Sequence, residues 1–170
     1  MKTFIIIFFL IITTSFAQSF KLTEDPKSHK PMLIGNISLE QLKDSSFYWW
    51  YNSEYNFYQI DQDALNEIKN NLFEDLRIKI FFGTWCSDSR RELPRFIKIL
   101  DSLKFNKVNY ELIAIDRDKK GLKDETEGWN VELVPTIIFL DKDEELGRII
   151  ESPEESLELD FETIIKKKSR

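Results

Sequence analysis

The single cysteine of the chain, Cys86, lies where a strand is predicted to end and a helix to begin. The run from Ile78 to Phe82 is apolar except at Lys79, and the residues after Cys86 keep apolar side chains at helical spacing as far as Leu103. The first backbone amides of a helix have no intrahelical partner, and the helix dipole puts partial positive charge at that end. Because this position stabilises a thiolate, which is the reactive form of cysteine, Cys86 is predicted to be a nucleophile.

Composition argues against two other kinds of site. His29 is the only histidine, so the sequence contains no cluster with metal-ligand spacing, and neither a metal nor another cofactor is expected. The formal net charge is −6, which disfavours nucleic acid as a partner because domains that bind it are typically basic. The predicted chemistry therefore depends on one sulfur.

The elements that position Cys86 alternate between helices and strands. The first half of the predicted order is a helix from Asp61 to about Leu72, a strand from Ile78 to Phe82, a helix from Ser87 to Leu103 and a strand from Val108 to Ile115. The second half is a short helix between Arg117 and Val131, strands from Ile137 to Leu140 and from Gly147 to Ile150, and a last helix with Ser152 as its N-cap. A strand-helix-strand unit gives a parallel pair and the late hairpin an antiparallel one, so a mixed sheet is expected.

Several residues in this order resemble the thioredoxin superfamily. The segment Trp85-Cys86-Ser87-Asp88-Ser89 resembles the Trp-Cys-x-x-Cys turn of that family, with serine at the second cysteine position. Pro94 is similar in position to the proline that bends the active-site helix, and Val134-Pro135-Thr136 resembles the loop whose cis-proline faces the sulfur. The resemblance spans Ile78 to about Ile165 and implies an α/β thioredoxin fold, with a mixed central sheet, helices on both faces and an N-terminal extension.

The resemblance also implies roles for the residues around the sulfur. The implied catalytic residues are Cys86 and Ser89, the substrate-binding residues are Thr84, Trp85, Val134 and Pro135, and Ser87 and Asp88 complete the turn. Ser89 would donate a hydrogen bond to the thiolate one helical turn away. Asp88 favours the helix start but opposes negative charge on the sulfur, while Arg90 and Arg91 offset it, so the net effect is left open.

The residues that would complete a dithiol cycle are absent. Ser89 cannot attack a mixed disulfide as a second cysteine does, and Ile80 stands where thioredoxins carry a buried aspartate. The prediction is therefore a monothiol protein that attacks disulfides of exported polypeptides as a reductase or isomerase, with an external thiol closing the cycle. The alternative is a redox-silent polypeptide-binding module. A peroxidase is less favoured, because related thiol peroxidases have threonine three residues before the cysteine, where Gly83 lies here.

The N-terminal residues predict export. Lys2, the apolar run from Phe4 to Ile12 and Ser15-Phe16-Ala17 have the pattern of a cleaved signal peptide over residues 1–17. The run is too short for a membrane anchor. We therefore expect a periplasmic or secreted protein, without a membrane anchor after cleavage.

Residues 18–58 are predicted to be a linker and an aromatic-rich extension, and residues 59–170 the thioredoxin-like domain. Gln18 to Lys30 is expected to be a polar linker, Met32 to Ile37 extended, and Leu39 to Asp44 a short helix begun by a capping box at Ser38. The aromatic run from Phe47 to Tyr58 either packs this extension onto the domain or lines a groove beside the cysteine.

Overall fold

A computed structural model describes residues 19–169, so the predicted signal peptide lies outside the described residues. Its strands are β1 (Phe20–Glu24), β2 (Pro31–Ile37), β3 (Leu76–Phe82), β4 (Tyr110–Ala114), β5 (Thr136–Asp141) and β6 (Glu144–Ile150), and its α-helices are α1 (Ser45–Phe57), α2 (Gln62–Asn71), α3 (Ser87–Ser102) and α4 (Leu157–Ile165). Short 3₁₀ turns cover Leu39–Lys43, Lys107–Asn109 and Lys166–Ser169. None of the described helices has the length and apolar character needed to cross a membrane.

The strands form one mixed sheet in the order β1-β2-β4-β3-β5-β6. Strands β3 and β4 are parallel, and the other neighbouring pairs are antiparallel. One face of the central strand β3 is apolar and buried, whereas the other carries Arg77 and Lys79 as well as the buried Phe81. This is the mixed α/β, thioredoxin-like fold that the sequence predicts.

The two faces of the sheet are covered differently. Ile78, Ile80 and Phe82 of β3 belong to the larger core cluster, which also contains the buried apolar residues of α1, α2, α3 and α4. Phe81 belongs to a second cluster, against which Trp129 of the β4–β5 loop packs. The second face is therefore covered by a loop, where the sequence predicted a helix.

The short helix predicted between Arg117 and Val131 is wrong, since none of the described residues from 116 to 135 is helical. The Asp116 carboxylate accepts hydrogen bonds from the Asp118 and Lys120 amides, which closes a turn in place of a helical start. Lys119, Gly128 and Asn130 have positive φ angles, which interrupt a helix.

The segment predicted as a polar linker instead contains β1, which pairs antiparallel with β2. Asp25 begins the connecting turn, and its carboxylate accepts from the Lys27 and Ser28 amides. Strand β2 in turn pairs with β4, so the hairpin extends the central sheet.

The capping box at Ser38 is confirmed, and the aromatic run that follows lies in helix α1. Phe47 and Trp50 are buried on its inner face, against the core that includes α3. The last helix begins later than predicted: Ser156, rather than Ser152, is the N-cap of α4, and its hydroxyl accepts from the Leu159 amide. The Asp160 carboxylate accepts hydrogen bonds from the amides of Glu154 and Glu155, which holds these two residues in a turn before the helix.

Candidate active site

Cys86 is the N-cap residue of α3, as the sequence predicts. Its amide donates to the Gly83 carbonyl at 2.9 Å, and its carbonyl accepts from the Arg90 amide at 3.1 Å. The cysteine side chain makes no capping hydrogen bond to the helix amides. Cys86 is partly exposed and is a free thiol.

The predicted proline loop lies against the sulfur. Cys86 Sγ donates to the Val134 carbonyl oxygen at 3.2 Å, and the Val134–Pro135 peptide bond is cis. Thr136 begins β5 opposite Phe81 of β3, and its hydroxyl donates to the Leu133 carbonyl at 2.7 Å. The structure therefore brings together two segments 48 residues apart in sequence.

Ser89 and Thr84 hold the backbone of the cysteine turn. Ser89 is 1% exposed, and its hydroxyl oxygen accepts from the Gly83 amide at 3.1 Å. Thr84 is buried, and its hydroxyl accepts from the Leu33 amide of β2 at 3.2 Å. Both hydroxyls thus satisfy backbone donors that would be costly to bury unpaired.

Trp85 closes the other side of the turn. Its indole Nε1 donates to the Ile115 carbonyl at 2.9 Å, and its ring packs against the second core cluster. A Cβ added at Gly83 would lie 2.6 Å from Cε2 of this ring. The indole therefore requires glycine at that position.

A buried ion pair supports the Trp85 ring, and sequence reasoning missed it. The Arg117 guanidinium lies 4.7 Å from the ring centroid and donates to both carboxylate oxygens of Asp25, at 2.6 and 2.8 Å. Asp25 is 1% exposed. Its pKa is lowered chiefly by the hydrogen bonds from Arg117, while burial acts in the opposite direction. The pair raises the pKa of Arg117.

Two guanidinium groups act electrostatically on the sulfur. Arg90 and Arg117 are each close enough to Cys86 for a thiolate there to favour their charged forms. Arg90 Nε donates to the Thr84 carbonyl at 2.6 Å, and partial burial lowers the pKa of Arg90.

The remaining residues of the predicted turn lie at the surface of the first helical turn. Ser87 is exposed, and the Asp88 carboxylate pairs with Arg91 at 2.8 Å. Arg91 thus offsets the Asp88 charge, whereas Arg90 is directed toward the Thr84 carbonyl. Within residues 19–169, no group of three or more histidine, cysteine or acidic side chains could hold a metal ion.

The aromatic helix α1 has both a buried and an exposed side. Phe47 and Trp50 lie in the core, whereas Trp49 is 63% exposed. Trp49 and Phe47 also line a cavity of about 280 Å³ together with Arg90, Lys30, Pro31 and Ser46. Part of the aromatic segment is therefore core, and part of it faces a cavity reached by a residue of the cysteine helix.

The chain is similar in sequence to plant thioredoxins. It is 28% identical over 78 residues to a thioredoxin H-type of Picea mariana, a match covering 46% of this chain and 58% of that protein. It is 26% identical over 85 residues to thioredoxin H9 of Arabidopsis thaliana, covering 50% of this chain and 56% of that protein. The chain thus spans a little over half the length of these curated relatives. The similarities support a thioredoxin-like superfamily and a redox-related, thioredoxin-fold protein.

No protein-family model matches the chain. Two solved structures align with a TM-score of 0.47, each over 72% of this chain and 81% of the other. They are a protein of unknown function from Pseudomonas aeruginosa, at 18% identity, and an HIV epitope scaffold, at 17% identity.

Proposed function

We propose that this protein is an exported thiol–disulfide oxidoreductase, of the reductase or isomerase type, that acts through Cys86 alone. The observation that carries the proposal is the position of the partly exposed sulfur, at the start of α3 and 3.2 Å from the Val134 carbonyl oxygen. The similarity to thioredoxins supports the same reaction class.

The proposed reaction begins when the Cys86 thiolate attacks one sulfur of a substrate disulfide. A mixed disulfide forms with Cys86, and the other substrate sulfur leaves as a thiolate that takes a proton from water. The positive charges of Arg90 and Arg117 are the proposed electrostatic partners of the attacking thiolate. The Val134–Pro135 backbone lies against the sulfur, and this backbone and the ring of the preceding residue, Trp85, are the proposed contacts for the substrate.

The second half of the cycle requires a thiol from outside the chain, because Cys86 is the only cysteine. In isomerisation, another thiolate of the same substrate attacks the mixed disulfide and releases Cys86. In reduction, two equivalents of an external thiol become one disulfide as the substrate disulfide becomes two thiols. The proposed partners are therefore disulfide-containing exported polypeptides and an external thiol reductant, in the periplasm or outside the cell.

The test is to incubate the purified protein with a model disulfide and to locate the adduct by mass spectrometry. The proposal expects an adduct on Cys86 that an external thiol removes, together with catalysed reduction or reshuffling of a disulfide-bonded protein. The Cys86→Ser variant should retain the fold and lose both. Absence of an adduct with the native protein would refute the redox proposal.

Ser89 requires a separate variant, because its hydroxyl oxygen is already bonded to the Gly83 amide. If it also donates to the sulfur, Ser89→Ala should slow adduct formation, while unfolding free energies measured in parallel separate that effect from instability. If Cys86→Ser leaves the binding of a polypeptide partner and the cellular phenotype intact, the redox-silent binding module becomes the better description.

A further inference from the structure

A cavity next to the cysteine helix has no role in the reaction proposed above. It has a volume of about 280 Å³ and is bounded by the end of the β1–β2 turn, the start of α1 and the first turn of α3. Trp49 and Phe47 provide an aromatic wall, and Lys30 and Arg90 bring two positive charges to it. The cavity therefore combines apolar surface with cations.

Within residues 19–169, neither cation forms a salt bridge with a carboxylate. Among the described residues Arg90 forms no salt bridge, and its Nε donates to the Thr84 carbonyl at 2.6 Å. The Asp25 carboxylate acts on the Arg90 charge from a distance but is already paired with Arg117. The Lys30 ammonium likewise has no acidic partner in the part of the chain that the structure describes. In contrast, Arg117 and Arg91 nearby are both paired with acidic side chains. A partly buried guanidinium without a counterion is left available for an anion.

Arg90 also connects this cavity to the reacting sulfur. It follows Cys86 by one helical turn, its amide donates to the Cys86 carbonyl, and its charge acts on the sulfur. Residues four apart on a helix lie on the same face. An anion held by Arg90 and Lys30 would therefore lie beside any group that reacts with Cys86.

We propose that the cavity lined by Lys30, Trp49 and Arg90 is a specificity subsite that binds a carboxylate flanking the disulfide attacked by Cys86. The proposal rests on the thiol–disulfide exchange function proposed above. A carboxylate matches a guanidinium in a planar, two-point geometry, and the Trp49 ring contacts the apolar stem that carries it. The carboxylate belongs either to an acidic side chain next to a polypeptide cystine or to a small acidic disulfide.

The subsite changes the selectivity of the exchange without changing its chemistry. The Cys86 thiolate still attacks the nearer substrate sulfur, a mixed disulfide still forms, and the distal sulfur still leaves as a thiolate. The carboxylate undergoes no reaction. Its effect is to favour approach of the acidic disulfide over an uncharged or cationic one.

The experiment compares three disulfides of similar length that differ in charge: dithiodipropionate, hydroxyethyl disulfide and cystamine. Rates of adduct formation on Cys86 are measured by mass spectrometry for the native protein, for Arg90→Gln and for Lys30→Gln. The readout is the ratio of the anionic to the cationic rate, because any change in the reactivity of the sulfur itself cancels in that ratio. Lys107→Gln is the matched control, since Lys107 precedes β4 whereas Cys86 follows β3, so the two lie at opposite ends of this parallel strand pair.

We expect the native protein to prefer the anionic disulfide and each subsite variant to reduce the ratio by about three- to fivefold, the usual strength of a partly exposed ion pair. Lys107→Gln should leave the ratio near its native value. The subsite proposal would be overturned if Arg90→Gln, Lys30→Gln and Lys107→Gln all reduced the rate ratio equally. It would also be overturned if none of the three reduced it. Failure of every disulfide to form an adduct would instead overturn the exchange function.

A second arm identifies the source of the carboxylate. Cystine-bridged peptides with aspartate or asparagine beside the bridge are compared in the same rate measurement. Preference for the aspartate peptide, lost in Arg90→Gln, indicates a polypeptide substrate. If only the small disulfides are discriminated by charge, the carboxylate belongs to a small acidic disulfide. Trp49→Ala should weaken the preference in whichever arm shows it.

Discussion

Replacing Asp25 by asparagine tests the ion pair that supports the Trp85 side of the site. The substitution keeps the size of the side chain but removes the charge that accepts two hydrogen bonds from Arg117, at 2.6 and 2.8 Å. Removing one partner of a buried pair costs about 3–5 kcal/mol because it leaves an uncompensated charge. The Arg117 side chain is 29% exposed and can be partly hydrated, so we expect the lower end, about 3 kcal/mol.

Urea unfolding of Asp25→Asn at neutral pH measures this loss, and thermal unfolding should show a midpoint lower by about 6–12 °C for a domain of this size. The pKa of Asp25 is depressed, so its stabilising contribution is complete above the ordinary aspartate value of 3.8 and is lost as the pH falls through the lowered value. The difference in stability between the native protein and Asp25→Asn should therefore narrow progressively below about pH 3.8.

Asp143→Asn is the matched control, because Asp143 is exposed in the β5–β6 turn and should change stability by less than about 0.5 kcal/mol. The Arg117→Gln single variant and the double variant complete a thermodynamic cycle. A loss below about 1 kcal/mol for Asp25→Asn, or additive effects of the two substitutions, would refute the reasoning that the pair is a coupled, buried unit.

Three further changes test other parts of the site and fold. Ser89→Cys should form a disulfide with Cys86 on oxidation, seen as loss of free thiol. It should also release the substrate from the mixed disulfide without an external thiol, while an external reductant is still needed to reduce the new disulfide before the next turnover; persistence of both free thiols would contradict this. Gly83→Ala should cost about 1–3 kcal/mol and change the tryptophan fluorescence, because its Cβ would lie 2.6 Å from Cε2 of Trp85. Ser156→Ala should cost about 1 kcal/mol of unfolding free energy, and Ser152→Ala distinctly less, because Ser156 caps α4; equal losses would contradict that cap assignment.

The cysteine turn and its surroundings could be predicted because their signals are local. Strand β3 is rich in apolar residues, and α3 keeps apolar residues at helical spacing after Cys86. The Val134–Pro135 loop could be placed by its likeness to a family motif, and the contact with Cys86 Sγ agrees with that placement. The contact itself joins residues 48 positions apart, which sequence spacing does not reveal.

Other features depend on pairings that leave no local signal. Strand β1 lies at the edge of the sheet with most of its residues exposed, so it lacks the apolar alternation of a half-buried strand. Arg117 lies in a charged loop and joins Asp25 across 92 residues of sequence. A charge run is typical of a solvated loop. Only the tertiary structure shows that Arg117 of this run forms an ion pair beside the cysteine turn.

The unpaired state of Arg90 is equally a tertiary property. Helical spacing favours an ion pair between Asp88 and Arg91, three residues apart, but does not reveal what Arg90 contacts. In the structure Asp88 pairs with Arg91, so the neighbouring arginine is left to the Thr84 carbonyl and the cavity.

The β1–β2 hairpin has a consequence for anyone seeking a minimal version of this protein. A fragment starting at residue 59, where the sequence suggests a self-contained unit, would retain Cys86 and Pro135. It would lose the carboxylate of Asp25, the ammonium of Lys30 and the amide that Leu33 donates to Thr84. A truncated or grafted version should therefore include the hairpin together with the cysteine turn, since the hairpin supplies groups that hold the turn and line the adjoining cavity.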